Sequence, residues 1–199
     1  DMKAQPMYSA PGYQGSNKLK DMVALITGGD SGIGRSVAVL FAREGADIAI
    51  VYLNEHEDAE ETCRAVEQEG QRCIMIAGDV SDSQFCNRAV AETTGKLGKL
   101  DILVNNAVFQ QHHSDLLQIT DEQFERTLAT NLGGYFYMAR AAVPHIAQGG
   151  SILMTGSVTG LEGSKDLLDY SMTKGGIHAF TKSLSMHLLE RGIRVNAVA

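Results

Sequence analysis

The chain has no tryptophan, three prolines and three cysteines among its 199 residues. Pro6 and Pro11 fall near the start, so the rest of the chain is almost free of proline breaks. Cys63, Cys73 and Cys86 are odd in number and lack C-x-x-C spacing, which excludes a zinc ribbon and the disulfide framework of a small secreted domain. Reduced thiols are expected. No apolar run approaches the roughly eighteen residues that a membrane helix needs, and no signal-peptide core opens the chain. Basic residues are in deficit, 17 Lys and Arg against 24 Asp and Glu, a net charge of −7 with no basic cluster. Such a surface is a poor partner for nucleic acid or an anionic membrane. His112 and His113 have no third ligand at a recognisable spacing, so no metal site is expected. A soluble, cytoplasmic globular protein is expected.

Hydrophobic residues make up 44% of the chain, enough to bury a real core. Residues 1–19 show no periodicity and read as an extended arm, disordered or lying over a neighbour's surface. From residue 20 onward one domain is expected. Apolar runs at Val23–Ile26, Ile48–Leu53, Cys73–Ala77, Ile102–Val104, Ile152–Met154 and Val195–Val198 alternate with helical stretches. That alternation implies an α/β fold, a doubly wound parallel sheet with helices on both faces. The helices are expected over Arg35–Glu44, Glu57–Glu69, Ser83–Thr94 with Ser83 as a cap, Asp121–Ala147 and Leu168–Glu190. Thr120-Asp121-Glu122-Gln123 has the spacing of a capping box.

Three stretches carry chemistry. Thr27-Gly28-Gly29-Asp30-Ser31-Gly32-Ile33-Gly34 follows a strand and opens a helix, where glycines permit a tight turn and close approach to a pyrophosphate. Tyr170 and Lys174 stand four apart on one helix, so a cation beside a phenol is expected to lower the phenol pKa toward the range useful for proton transfer. Ser157, thirteen positions before Tyr170, follows a buried strand that breaks at Gly156, where its hydroxyl can hold a substrate oxygen. Asn131, followed by Gly133 and Gly134, marks a weak point in its helix that invites a bend or a freed carbonyl. Thr27, Asn54, Asp79, Asn105 and Ser157 gather at strand ends, the edge at which doubly wound sheets bind ligands.

The glycine loop with its T-G-x-x-x-G-x-G spacing, and a Ser thirteen residues before Y-x-x-x-K, together resemble the classical short-chain dehydrogenase/reductase family. Asn105-Asn106-Ala107 is similar to the family's N-N-A-G, and Asn131 stands at the place of its catalytic Asn. The resemblance runs from Lys18 to Ala199 and is closest to bacterial glucose-dehydrogenase-like members with an N-terminal arm. It implies a Rossmann fold with strand order 3-2-1-4-5-6 and an NAD(P)-dependent oxidoreductase that interconverts an alcohol and a carbonyl compound, a sugar, polyol or small aldehyde or ketone. It further implies catalysis by Asn131, Ser157, Tyr170 and Lys174. The apolar content of helices 121–147 and 170–190, with Tyr135, Phe136 and Tyr137 adjacent and Phe180, Leu184 and Leu188 four apart, predicts a homotetramer paired through them. The cofactor would meet Gly28, Asp30, Ser31, Gly32, Ile33, Gly34, Asp79, Val80, Asn105, Ala107, Tyr170 and Lys174. A neutral Asn54 after the second strand, with Arg35 as a candidate phosphate partner, favours use of both cofactors with a modest preference for NADP.

Two features depart from the family pattern. Val108 replaces the usual Gly, and a β-branched residue there disfavours positive φ and close backbone approach. The family continues past Arg194-Val-Asn-Ala-Val-Ala199 with a substrate-covering loop and a further strand; either further residues follow Ala199 or the protein lacks this lid. Two other functions fit parts of the pattern: a cofactor-sensing module without turnover, and an epimerase or dehydratase that shares the Tyr and Lys. Intact Ser157, Tyr170 and Lys174 argue against the first. The short length and the loop spacing argue against the second.

Overall fold

The computed structural model describes residues 7–199; the first six residues of the expected arm lie outside the described part. Six strands, β1 (Val23–Thr27), β2 (Asp47–Tyr52), β3 (Cys73–Ala77), β4 (Leu100–Asn105), β5 (Ile146–Thr155) and β6 (Arg194–Val198), form one sheet. All pairs are parallel and the order is β3-β2-β1-β4-β5-β6, as expected. The chain winds outward in both directions from β1. A crevice therefore opens between the carboxyl ends of β1 and β4, the switch point of the topology.

Seven helices connect the strands: α1 (Gly32–Arg43), α2 (His56–Gln68), α3 (Ser83–Leu97), α4 (Asp121–Leu128), α5 (Gly134–Ala142), α6 (Thr159–Glu162) and α7 (Leu168–His187). On one face α1 and α2 set Ala38, Ala42, Ala59 and Val66 against Ile26, Ile48 and Ile50. On the other, Phe85, Val90, Met138 and Ile177 cover Leu25, Val51, Leu103 and Ile152. Every residue of β1 is buried, which explains its continuous rather than alternating apolar run. Complete burial of a side chain such as Ile50 or Leu103 stabilises the fold by about 1.5–3 kcal/mol, and the two dry faces hold many of them. Among the described residues no helix is long and apolar enough to cross a membrane.

Several local expectations change. Asp82, not Ser83, caps α3, its carboxylate accepting from the Gln84 N–H at 2.8 Å. Thr120 does accept from the Gln123 N–H, but the Gln123 side chain turns away to His113 and Asp169, so the box closes on one side only. The single helix expected over 121–147 is instead α4, a π turn at Ala129–Gly133, α5 and a 3₁₀ turn at Val143–His145. Pro144 cannot donate a helical hydrogen bond, and β5 begins at Ile146 rather than near Ser151. The helix of Tyr170 ends at His187, ahead of a 3₁₀ turn at Leu189–Arg191.

The expectation of three reduced thiols is also overturned: Cys63 and Cys73 form a disulfide, leaving Cys86 free and buried. Cys63 lies on the buried face of α2 and Cys73 opens β3, with the chain reversing at Gly70 in the left-handed region (φ +87°). Helix end and turn bring the two Cα atoms to 5.2 Å, within disulfide reach, at a spacing that no sequence motif marks. Burial pushes the Cys86 thiol up to about 12.

The described part of the arm lies on the chain's own first helix. Glu44, just past α1, accepts from the Tyr13 hydroxyl and from the N–H groups of Ser16 (3.0 Å) and Lys18 (2.9 Å). These donors, Tyr13 foremost, hold the Glu44 carboxyl down at about 2. The Tyr8 ring sits 5.2 Å from the Arg35 guanidinium.

Candidate active site

The Thr27 hydroxyl, at the end of β1, accepts from the N–H groups of Asn106 (2.9 Å) and Ala107 (3.0 Å), pinning β1 to the loop that leaves β4. Gly28 (φ +62°) then turns the chain so tightly that a Cβ there would stand 3.0 Å from Ala107 Cα. A Cβ on Gly34 would lie 1.9 Å from the Gly28 carbonyl oxygen, so only glycine lets α1 start against this loop. Ser31 precedes α1 but donates its hydroxyl to Asp30 at 3.0 Å, and the first turn of the helix has no side-chain cap. Its uncapped N–H groups and the positive end of the helix dipole form an anion cradle.

From this cradle a cavity of about 1300 Å³ runs along the carboxyl edge of the sheet. It exceeds the usual range for one drug-sized ligand, about 300–1,000 Å³, and has room for an extended dinucleotide with a substrate beside it. Gly28, Asp30, Ser31, Gly32, Ile33, Asp79, Val80, Ala107, Ser157, Tyr170 and Lys174 all border it, as does Val108. Val108 keeps its φ out of the left-handed region, so the β-branched side chain is accommodated without strain. Asn105 supports the cavity from beneath: it is buried, and its amide donates to the Tyr135 carbonyl at 3.1 Å.

Two expected cofactor contacts need correction. Arg35 is buried and already engaged, donating to the Asp30 carbonyl at 2.8 and 3.0 Å and to Thr62, while it pairs with Asp58 at 3.1 Å and Glu61 at 3.0 Å. Its guanidinium is turned to the Asp30 loop and α2, and Arg35 does not border the cavity. Asn54 is exposed and does not border the cavity; its neighbour Glu55 does. Burial raises the Asp30 pKa, and the nearby Glu55 and Asp58 carboxylates add to the rise.

At the other end Tyr170 and Lys174 stand one turn apart on α7, which packs against β6 and the π turn. Lys174 is 1% exposed, its Nζ donating to the Thr155 carbonyl at 2.6 Å and to the Tyr135 hydroxyl at 3.4 Å. Nζ lies 5.4 Å from the centre of the Tyr170 ring. Burial lowers the Lys174 pKa to about 8. Tyr170 does not follow the expected direction. Burial raises its pKa and the Ser157 hydroxyl opposes that rise; the Lys174 N–H groups are directed to Thr155 and Tyr135. Ser157 follows β5 and shares a hydrogen bond with the Thr159 hydroxyl at 2.9 Å.

Asn131 sits in the π turn, completely buried. Its Oδ1 accepts from the Phe109 N–H at 2.8 Å, and its Nδ2 donates to the Phe109 carbonyl at 2.9 Å and to Thr173 Oγ1 at 3.2 Å. The side chain thus clamps the loop after β4 to α7 beside Lys174. His112 and His113 meet Gln110 and Gln123. Tyr135 and the Thr155 carbonyl are parts of the site that no sequence motif marks; for Tyr135 the one available signal is its place four residues after Asn131.

The family model described as short chain dehydrogenase matches residues 22–199. The chain belongs to the short-chain dehydrogenases. Among members of known sequence, general stress protein 39 of Bacillus subtilis is 52% identical over 199 residues, covering 100% of this chain and 70% of that protein. Glucose and ribitol dehydrogenase of Daucus carota is 43% identical over 204 residues, covering 100% of this chain and 70% of the carrot protein. The crystal structure of a short-chain dehydrogenase from Burkholderia cenocepacia in complex with NADP is 34% identical, with a TM-score of 0.87 over 90% of this chain and 74% of that one. As a short-chain dehydrogenase the chain is an NAD(P)-dependent oxidoreductase.

Proposed function

We propose that this short-chain dehydrogenase interconverts an alcohol and a carbonyl compound, with Tyr170 as general acid and base. The observation that carries the reading is the convergence of Ser157, Tyr170 and Lys174 on the cavity that begins at the glycine loop. The nicotinamide cofactor, when bound, supplies the hydride in the reducing direction and takes it up in the other. The open amides of α1 suit its pyrophosphate, and Asp79 and Val80 border the place of its adenine. Tyr170 gives its proton to the carbonyl oxygen as negative charge gathers there. Thr159 N–H donates to Ser157 Oγ at 3.2 Å, and with the Thr159 hydroxyl donating as well the Ser157 hydrogen is free to turn toward the same oxygen. Lys174 has three N–H groups and directs two of them at Thr155 and Tyr135; the third serves the ribose, and the positive charge eases formation of the phenolate. Asn131, through the π turn that holds it, supports refilling of the proton by water.

A sugar, polyol or small aldehyde or ketone suits the polar catalytic end, and the name of the carrot relative supports that class. A panel of such compounds, followed by absorbance of the reduced cofactor, tests the reading. Cofactor binding without turnover of any member would favour the sensing module.

Both cofactors serve in this reading. The preference for NADP loses its cationic support with Arg35, and the carboxylate bordering the cavity belongs to Glu55. Glu55→Gln is expected to raise NADP(H) affinity about fivefold and leave NAD(H) nearly unchanged, since only the former brings a 2′-phosphate to a like charge. Fluorescence titration decides it; an equal change for the two would place Glu55 away from that ribose.

We also infer a homotetramer. Phe136 and Leu189 are exposed, Phe136 lies 5.9 Å from Phe180, and the outer faces of α5 and α7 thus present aromatic surface for pairing. Light scattering at micromolar concentration that returned a monomer would end this part of the reading.

A further inference from the structure

We infer that Tyr135 is a positioning residue for Lys174, its buried ring and hydroxyl fixing the ammonium beside Tyr170. The inference rests on the reading above for what Lys174 does. Gly134 brings α5 close to the sheet edge, for a Cβ there would meet Val80 Cγ2 at 2.8 Å. The next residue, Tyr135, is 2% exposed and held at both ends. Its carbonyl accepts from Asn105 of β4 at 3.1 Å, and its hydroxyl donates to the Thr155 carbonyl of β5 at 3.1 Å.

A phenol has one proton to donate, and that proton is committed to Thr155. Toward Lys174 Nζ, 3.4 Å away, the Tyr135 oxygen is therefore an acceptor. The ring adds its π face, 5.3 Å from Nζ to the centroid. Three elements face the ammonium: α5 with Tyr135, α7 with Tyr170, and β5 with the Thr155 carbonyl. Among the described residues no carboxylate forms an ion pair with it. The buried charge is thus held by dipoles and ring faces alone, and removal of one acceptor is felt directly. Tyr135 itself gives no proton to the reaction, because burial holds its own pKa far above the ordinary phenol value.

The test is Tyr135→Phe in the full chain, which keeps the ring and the volume. The Lys174 ammonium is followed against pH by NMR of ¹³Cε-labelled lysine, with Lys174→Met to assign the signal. Its titration midpoint is expected to fall by about half a unit to one unit, about three- to tenfold in proton affinity. The alkaline limb of kcat moves the same way, and KM for the carbonyl compound stays put. An unmoved midpoint overturns the inference whatever the thermal stability does, since a merely structural tyrosine would alter melting alone. Trifluorotyrosine at 135 gives a second reading that keeps the hydroxyl and weakens it as an acceptor; the same direction of shift is expected, and none would count against the inference. Because the NMR midpoint needs no turnover, it is separate from the parent reading, which fails if Tyr170→Phe remains active.

Discussion

Tyr170→Phe is expected to lower turnover by about 10³-fold while leaving cofactor affinity within about twofold of wild type. The ring of Tyr170 is half-buried and keeps its packing as phenylalanine; what disappears is the hydroxyl at the cavity. That hydroxyl stands with Ser157 and Lys174 on the cavity, so its loss falls on the transition state rather than on binding. Steady-state turnover on the best substrate of the panel, with cofactor fluorescence alongside, measures both quantities. Residual activity within about tenfold of wild type would remove Tyr170 as the general acid, because positioned proton transfer contributes about 10²–10⁴-fold.

Lys174→Met is expected to lower turnover and cofactor affinity together, each by more than about tenfold, since one ammonium both eases ionisation of Tyr170 and reaches the ribose. The wild-type cofactor affinity should weaken as pH rises through about 8, where the free protein loses this charge, and the Met variant should show no such dependence. Stability moves oppositely. The unfolded lysine holds its proton up to its ordinary value of 10.5, whereas the folded one releases it near 8, so between these the unfolded state binds more protons and folding strengthens with pH. The Met variant lacks that rise and is expected to unfold at the same or higher temperature near neutrality, having no buried charge to desolvate. Equal cofactor binding by the two proteins would end the ribose role.

Much of this was legible in the chain because the signals are local. β1, β2 and β4 announce themselves as apolar runs, since a strand buried on both faces has no polar side to interrupt it. The glycine loop is legible for the same kind of reason: Gly34 is demanded by an oxygen six residues back. Tyr170 and Lys174 needed only the helical repeat. What escaped was decided across the fold. The fate of Arg35 depends on Asp58, Thr62 and Glu61 of α2, whose approach its own neighbours do not encode. The Tyr170 pKa is raised by burial among elements distant in sequence, and Lys174 sends two of its donors to Thr155 and Tyr135, also far off in the chain. Cys63 and Cys73 meet because a helix end and a glycine turn happen to close their distance.

The π turn at Ala129–Gly133 also makes the protein sensitive to counting. Each residue of an α-helix turns the chain by about 100°, so the loss of Leu132 or Gly133 would let the turn relax into regular helix and swing α5 around by that angle. Asn131 would still precede the change and Tyr135 would follow it, so the clamp on Phe109 and the strut under Lys174 would part company. Substitutions along this stretch alter contacts one at a time. A one-residue deletion rewrites the phase between two halves of the site, so the length of 129–133 is fixed more strictly than its composition.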